Sequence, residues 1–308
     1  MVSEVFKECL ICPRDCRVNR IKSPTGYCKT GAGFHISSIC IHRGEEPPVD
    51  GKLGICNIFF TGCNLQCIFC QNHEISFIGK SIPKTLPPAL KFEEVIQSVI
   101  RILDEGISTV GFVTPSHVVP QVKEIISGLR KRGRNPVFIY NTNAYDKAET
   151  IRDLENYIDV FLPDFKYMDA SLALKLSDAP DYPEIAIASI YEMYRLKSST
   201  LIINEEGQAE SGLIIRHLVL PGQVNNSLAV LRAIAEKIST GVFISLMSQY
   251  HPTEYVKKIQ DLNRCLYTEE YQQVVDEVER LGFRKGYFQN IKSPSYYQPD
   301  FSKKHPFE

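Results

Sequence analysis

Three thiols crowd into the stretch Cys63-Asn64-Leu65-Gln66-Cys67-Ile68-Phe69-Cys70, directly after the apolar run Ile55 to Phe60, which reads as a strand. Three thiolates on one short loop can hold a metal centre but cannot close a four-coordinate one. Structural zinc takes four protein ligands, whereas a catalytic metal keeps a position open. An iron–sulfur cube is normally held by four Cys thiolates, so three leave one iron free to bind something else. The same residues also admit a disulfide with one spare thiol, or a zinc site completed from elsewhere in the chain.

A chain of 308 residues can bury one large α/β domain, or a domain with a small appendage. Its 44% hydrophobic and 23% charged content is that of an ordinary globular protein. A net charge of −1 gives no electrostatic footprint for nucleic acid or an anionic membrane, so neither is expected as a partner. The first residues, MVSEVFKECLICPRDC, lack the basic region and long apolar run of a secretory signal. No stretch approaches the roughly 18 apolar residues needed to cross a bilayer. The expectation is a cytoplasmic protein, in which ten cysteines are better read as metal ligands or redox groups than as disulfides. Nine of them fall before residue 71, leaving only Cys265 beyond.

Cys9, Cys12, Cys16 and Cys28 form a second group, with Pro13, Gly26 and Gly31 supplying turns. Four thiolates suit a closed tetrahedral zinc site or a second iron–sulfur cluster. Their spacing matches no ferredoxin pattern, which favours zinc. Cys40 and Cys56 read as core thiols or substitute ligands.

After the cysteine loop, strand and helix patterns alternate. Strands are expected at 109–113, 137–140, 158–162, 213–220 and 242–246, with helices at 92–103, 118–131, 148–156, 170–177, 183–196, 226–238 and 268–282. Such alternation implies parallel pairing with right-handed crossovers. With Ile55–Phe60 there are six main strands, so the expected fold is α/β, a partial (β/α)6 barrel. A doubly wound open sheet is the alternative. The expected organisation is a Cys-rich metal-binding segment (1–50), a barrel core (51–252) and a carboxy-terminal extension (253–308). The extension, with Tyr287, Phe288, Tyr296 and Tyr297, could cover the open side, dock a partner or pack a final helix.

Ligands of parallel α/β folds sit at the carboxyl ends of the strands. Those ends carry Thr114-Pro115-Ser116, Asn141-Thr142-Asn143, Asp164-Phe165-Lys166, Arg216-His217 and Tyr250-His251. Together with the C-x3-C-x2-C spacing and the aromatic Phe69 before the last Cys, they resemble the radical S-adenosylmethionine (radical SAM) enzymes. Within that family they resemble the branch that activates pyruvate formate-lyase and other glycyl-radical enzymes. Asp164-Phe165-Lys166 is similar to its Asp-Leu-Lys, Arg216 to its strand-five Arg, and Tyr250-His251 to its Pro-Tyr-His. The Gly-Gly-Glu that binds the SAM amino group in that branch is replaced here by Val113-Thr114-Pro115-Ser116, and Asn141 stands where the branch has an acid.

The resemblance implies a 4Fe-4S cluster on Cys63, Cys67 and Cys70, and SAM held by Phe69, Thr114, Ser116, Asn141, Asp164, Lys166, Arg216 and His251. It implies reductive cleavage of SAM to a 5′-deoxyadenosyl radical that abstracts hydrogen from a protein or peptide, with a glycyl-radical enzyme as one such target. A flavodoxin or ferredoxin would supply the low-potential electron. Modification of a small molecule, or a non-catalytic iron–sulfur or zinc redox-sensing module, is the alternative.

Overall fold

The computed structural model describes residues 2–23, 26–76, 86–291, 299–301, 303, 306 and 307. The sheet contains β1 (Ile36–His42), β2 (Ile55–Phe60), β3 (Thr109–Val113), β4 (Val137–Thr142), β5 (Val160–Pro163), β6 (Ile202–Ile203), β7 (Ala209–Leu218), β8 (Phe243–Met247) and β9 (Gly286–Phe288). Its order is β1-β2-β3-β4-β5-β7-β8-β9. All neighbours from β2 to β9 pair in parallel, while β1 lies antiparallel on β2 and β6 pairs antiparallel with β7. The six expected strands are therefore present as a parallel-dominated partial barrel. Three further strands join it: β1 from the cysteine-rich segment, the two-residue β6 on β7, and β9 from the carboxy-terminal extension. Tyr296 and Tyr297 of that extension lie outside the described residues.

Helices cover the outer face. Helix Phe92–Leu103 buries Val95, Ile96 and Val99, the spacing of one helical stripe. It opens where Glu94 accepts from the Lys91 backbone N–H (2.7 Å), satisfying a donor with no partner inside the helix. Helix Ala170–Ser177 is capped by Asp169, whose carboxylate accepts from Ser171 and Leu172 N–H.

Alternation along the strands builds the interior in layers. Ile55, Ile139, Leu162 and Ile214 pack with Val49 and Val160 in one apolar layer. Two residues further along the same strands stand Asn57, Asn141, Asp164 and Arg216. The intervening residues Cys56, Tyr140 and Ile215 point outward to the helix-covered core. The polar layer thus sits directly on the apolar one, towards the strand ends that carry the thiols. Gly111 of β3 makes room for it, because a Cβ there would collide with Asn57 Oδ1 and meet Ile55 Cδ1 at 2.9 Å.

Candidate active site

The carboxyl end of the sheet opens on a cavity of about 550 Å³. Cys63, Cys67 and Cys70 line it, as do Phe69, Thr114, Asn141, Asp164, Lys166 and Arg216. Ser116 and His251 stand outside the lining. Ser116 is fully buried and hydrogen-bonded to Thr142 (3.0 Å), while the carbonyl of His251 accepts from Gln71 (2.9 Å).

Each thiol of the loop has a polar neighbour. Leu65 N–H donates to Cys63 Sγ (3.3 Å), and Asn143 Nδ2 approaches the same sulfur (3.6 Å). Ser177 donates to Cys67 Sγ (2.9 Å) and is itself bonded to the Tyr167 hydroxyl (2.7 Å). Cys70 Sγ meets Ser76 Oγ (3.6 Å). The loop is docked on helix Ala170–Ser177 through Ile68 N–H to the Leu176 carbonyl (2.9 Å). Burial pushes all three thiols up, Cys70 to about 11, and neighbouring thiols add to the shift at Cys63 and Cys70. The ammonium of Lys166 acts in the opposite sense on each. Buried thiols that resist ionising alone become thiolates when a metal takes the proton's place. Three such thiols with donors aimed at their sulfurs fit an open-site cluster.

A buried ion network lies beside them. Arg216 donates from Nε to Asp164 (2.8 Å), from Nη1 to Glu45 (3.1 Å) and from Nη2 to Asn141 (2.6 Å). Lys166 Nζ donates to the other Asp164 oxygen (2.7 Å). Burial alone would raise the Asp164 carboxyl, but Arg216 and Lys166 outweigh it and hold it below the ordinary range. All three guanidinium nitrogens thus have partners within the protein, and Lys166 is the cation facing the thiols. His217, next in the chain, faces the other way. It sits between the Phe165 carbonyl (2.7 Å) and Ser227 Oγ (2.8 Å), and burial lowers it to about 4, so it is a neutral strut.

Thr114 adopts a φ of 51°, uncommon for a β-branched residue, while its N–H donates to the Asn141 carbonyl (2.7 Å). No carboxylate stands at that strand end. Instead Glu45 and Glu46 enter the cavity from the turn between β1 and β2. Asn57 Nδ2 donates to Glu45 (3.1 Å), and Gly44 N–H donates to Asp50 (2.6 Å) to close the turn. Sequence reasoning missed this pair, and also Ser177 and Ser76. The available signal was two acids set between Gly44 and the rigid Pro47-Pro48, just before a strand.

At the rim, Phe301 and Phe307 pack on Phe59 with ring centroids 5.4 Å away in each case, and Phe307 on His42 at 4.2 Å. The extension therefore reaches the cavity mouth, where Pro299 and Phe307 line it.

Cys9, Cys12, Cys16 and Cys28 enclose a separate void of about 10 Å³ together with Arg20, Asn64 and His117. Arg20 Nη1 points at Cys9 Sγ (3.7 Å), Tyr27 N–H donates to Cys16 Sγ (3.3 Å), and Cys28 Sγ pairs with Thr30 Oγ1 (3.2 Å). Burial, with smaller contributions from the other thiols, pushes Cys12 to about 12. None of the ten cysteines forms a disulfide. Among the described residues no three His, Cys, Asp or Glu side chains stand in the geometry of a single-ion site. No helix there is long and apolar enough to cross a membrane.

The sequence profile of the radical SAM superfamily matches residues 57–205. This segment is a radical SAM domain. It contains the three-thiol loop, Asp164 and Lys166, and its family implies a 4Fe-4S cluster, SAM and enzymatic use of both. An uncharacterized protein of Methanocaldococcus jannaschii is 28% identical over 282 residues, 91% of this chain and 77% of that protein. Among solved structures, the FeFe-hydrogenase maturase HydG has a TM-score of 0.50 at 13% identity, covering 74% of this chain and 49% of its own. It shares the fold. A domain of pyruvate-formate lyase-activating enzyme from Bacteroides vulgatus has a TM-score of 0.40 at 15% identity, covering 56% of this chain and 93% of its own.

Arg216→Ala leaves Glu45 without its cation and Asp164 with Lys166 alone, and removing one member of a buried pair costs about 3–5 kcal/mol. Denaturant unfolding is expected to register a loss of that size. A loss under about 1 kcal/mol would show that the network does not hold the strands together.

Proposed function

We propose that this chain cleaves SAM reductively and abstracts a hydrogen atom from a protein or peptide segment admitted to the cavity, with a glycyl-radical enzyme as the partner class. The observation that carries the reading is that three thiols of one loop and the Asp164–Lys166–Arg216 network face the same cavity. Bound there, the cluster and SAM would supply the one-electron cleavage of the sulfonium carbon–sulfur bond and hence the hydrogen-abstracting radical. A low-potential flavodoxin or ferredoxin is the proposed electron donor.

The chain's own residues would bind and orient. Lys166, with one N–H on Asp164 and two to spare, is placed to take the carboxylate of the methionine moiety. Asp164, held ionised, fixes that lysine beside the thiols. Phe69, packed edge-on against Tyr167 at 6.5 Å, offers an apolar surface between two ligands. Thr114 lines the cavity wall. Ser177 and Asn143 orient Cys67 and Cys63 through bonds to sulfur. Phe59 and Phe307 at the mouth restrict water.

The four amino-terminal thiols are proposed to hold structural zinc. Four thiolates suit a closed tetrahedral ion, and their spacing matches no ferredoxin pattern.

Anaerobically reconstituted protein given SAM and dithionite is expected to form 5′-deoxyadenosine, and Cys67→Ala to fall to background. No product from protein with iron and SAM both bound would sink the reading. Metal analysis of a Cys63→Ala/Cys67→Ala/Cys70→Ala variant is expected to find zinc and no iron. Retained iron would assign the amino-terminal thiols to a second cluster instead.

A further inference from the structure

The charge balance of the cavity is uneven. Among the described residues three carboxylates line it, Glu45, Glu46 and Asp164, against two cations, Lys166 and Arg216. Asp164 is matched by both cations, and Glu45 has Arg216 and Asn57. Glu46 is left over. It is only 7% exposed, lines the cavity, and its Oε2 has no hydrogen-bond partner among the described residues. The nearest cation, Arg216 Nη1, is 4.0 Å from that oxygen and already committed to Glu45. A buried carboxylate oxygen without a donor is costly, so its retention points to a donor brought by something bound.

The surroundings of this group differ from those of the thiols. The charges acting most strongly on Glu46 are Arg216 and Glu45, whereas Lys166 acts on all three thiols, neighbouring thiols act on Cys63 and Cys70, and Asp164 acts on Cys67. Beside Glu46 stand Arg216 of β7 and Ser245 of β8, whereas the cluster loop is docked on helix Ala170–Ser177. The lining of the cavity also includes the apolar residues Phe59, Leu218 and Met247. One free oxygen flanked by a guanidinium suits a compact point charge better than a second planar fork.

We infer that Glu46 receives a primary ammonium at the end of an apolar stem, the chemistry of a lysine side chain, and so selects the substrate. This deepens the function proposed above and rests on it. Burial pushes the Glu46 carboxyl up, and a bound ammonium would offset that penalty.

The test is calorimetric titration of the cluster-loaded protein, without reductant, using n-pentylamine and its neutral analogue n-pentanol, each with and without SAM. Pentylamine is expected to bind at least tenfold more tightly than pentanol, and Glu46→Gln to remove that preference while leaving the SAM affinity unchanged. Equal binding of amine and alcohol by the wild-type protein overturns the inference, and that comparison needs no variant to fold. An unchanged preference in Glu46→Gln overturns it too, as does a variant that loses SAM binding but keeps the preference, which would assign Glu46 to the cofactor. None of these readouts requires SAM cleavage, so failure here is distinct from failure to form 5′-deoxyadenosine.

Discussion

The contact on which the site depends is the carboxylate of Asp164, gripped on one oxygen by Arg216 and on the other by Lys166. Buried charges survive only when paired and hydrogen-bonded, and here the pairing is spread over four segments of the chain. Arg216 comes from β7, Asp164 from the end of β5, Asn141 from β4 and Glu45 from the turn after β1. Satisfying one guanidinium therefore sets the relative positions of strands that share few contacts in sequence. It also fixes Lys166 beside the thiols and leaves Arg216 with no nitrogen to spare.

The layering of the interior explains how such a network is tolerated. The apolar layer built on Ile55, Ile139, Leu162 and Ile214 closes one end, and the polar layer lies directly upon it. Period-two alternation makes both layers from the same strands, so one register determines packing and chemistry together. The thiol loop then needs only a short docking to reach the cavity, through Leu176 and Ser177 at the end of the neighbouring helix. Those contacts orient sulfurs in a place where burial alone keeps them protonated.

Much of this was legible in the chain. The C-x3-C-x2-C spacing is local, and the six main strands have enough apolar alternation to be read singly. Asp164, Lys166 and Arg216 could be singled out because strand ends in parallel α/β folds face the ligand. Their partners could not. Glu45 and Glu46 reach the cavity through a turn folded inside the sheet, and no periodicity announces such a path. Arg216 reads as a free fork until its neighbours are known. Ser116 and His251 share the strand-end positions of the others, yet Ser116 turns into a buried hydroxyl pair with Thr142 and His251 meets Gln71 through its carbonyl. The strands β1 and β9 escaped notice for a similar reason: one is an antiparallel edge beside a cysteine-rich segment, the other spans three residues.

Cys63, Cys67 and Cys70 are proposed to hold a cluster whose open iron takes SAM within this cavity. Electron paramagnetic resonance of the reduced protein, recorded before and after SAM is added, addresses it directly. The cluster signal is expected to change on addition, because a new ligand would join one iron. An unchanged spectrum from protein that dialysis shows to have bound SAM would contradict it.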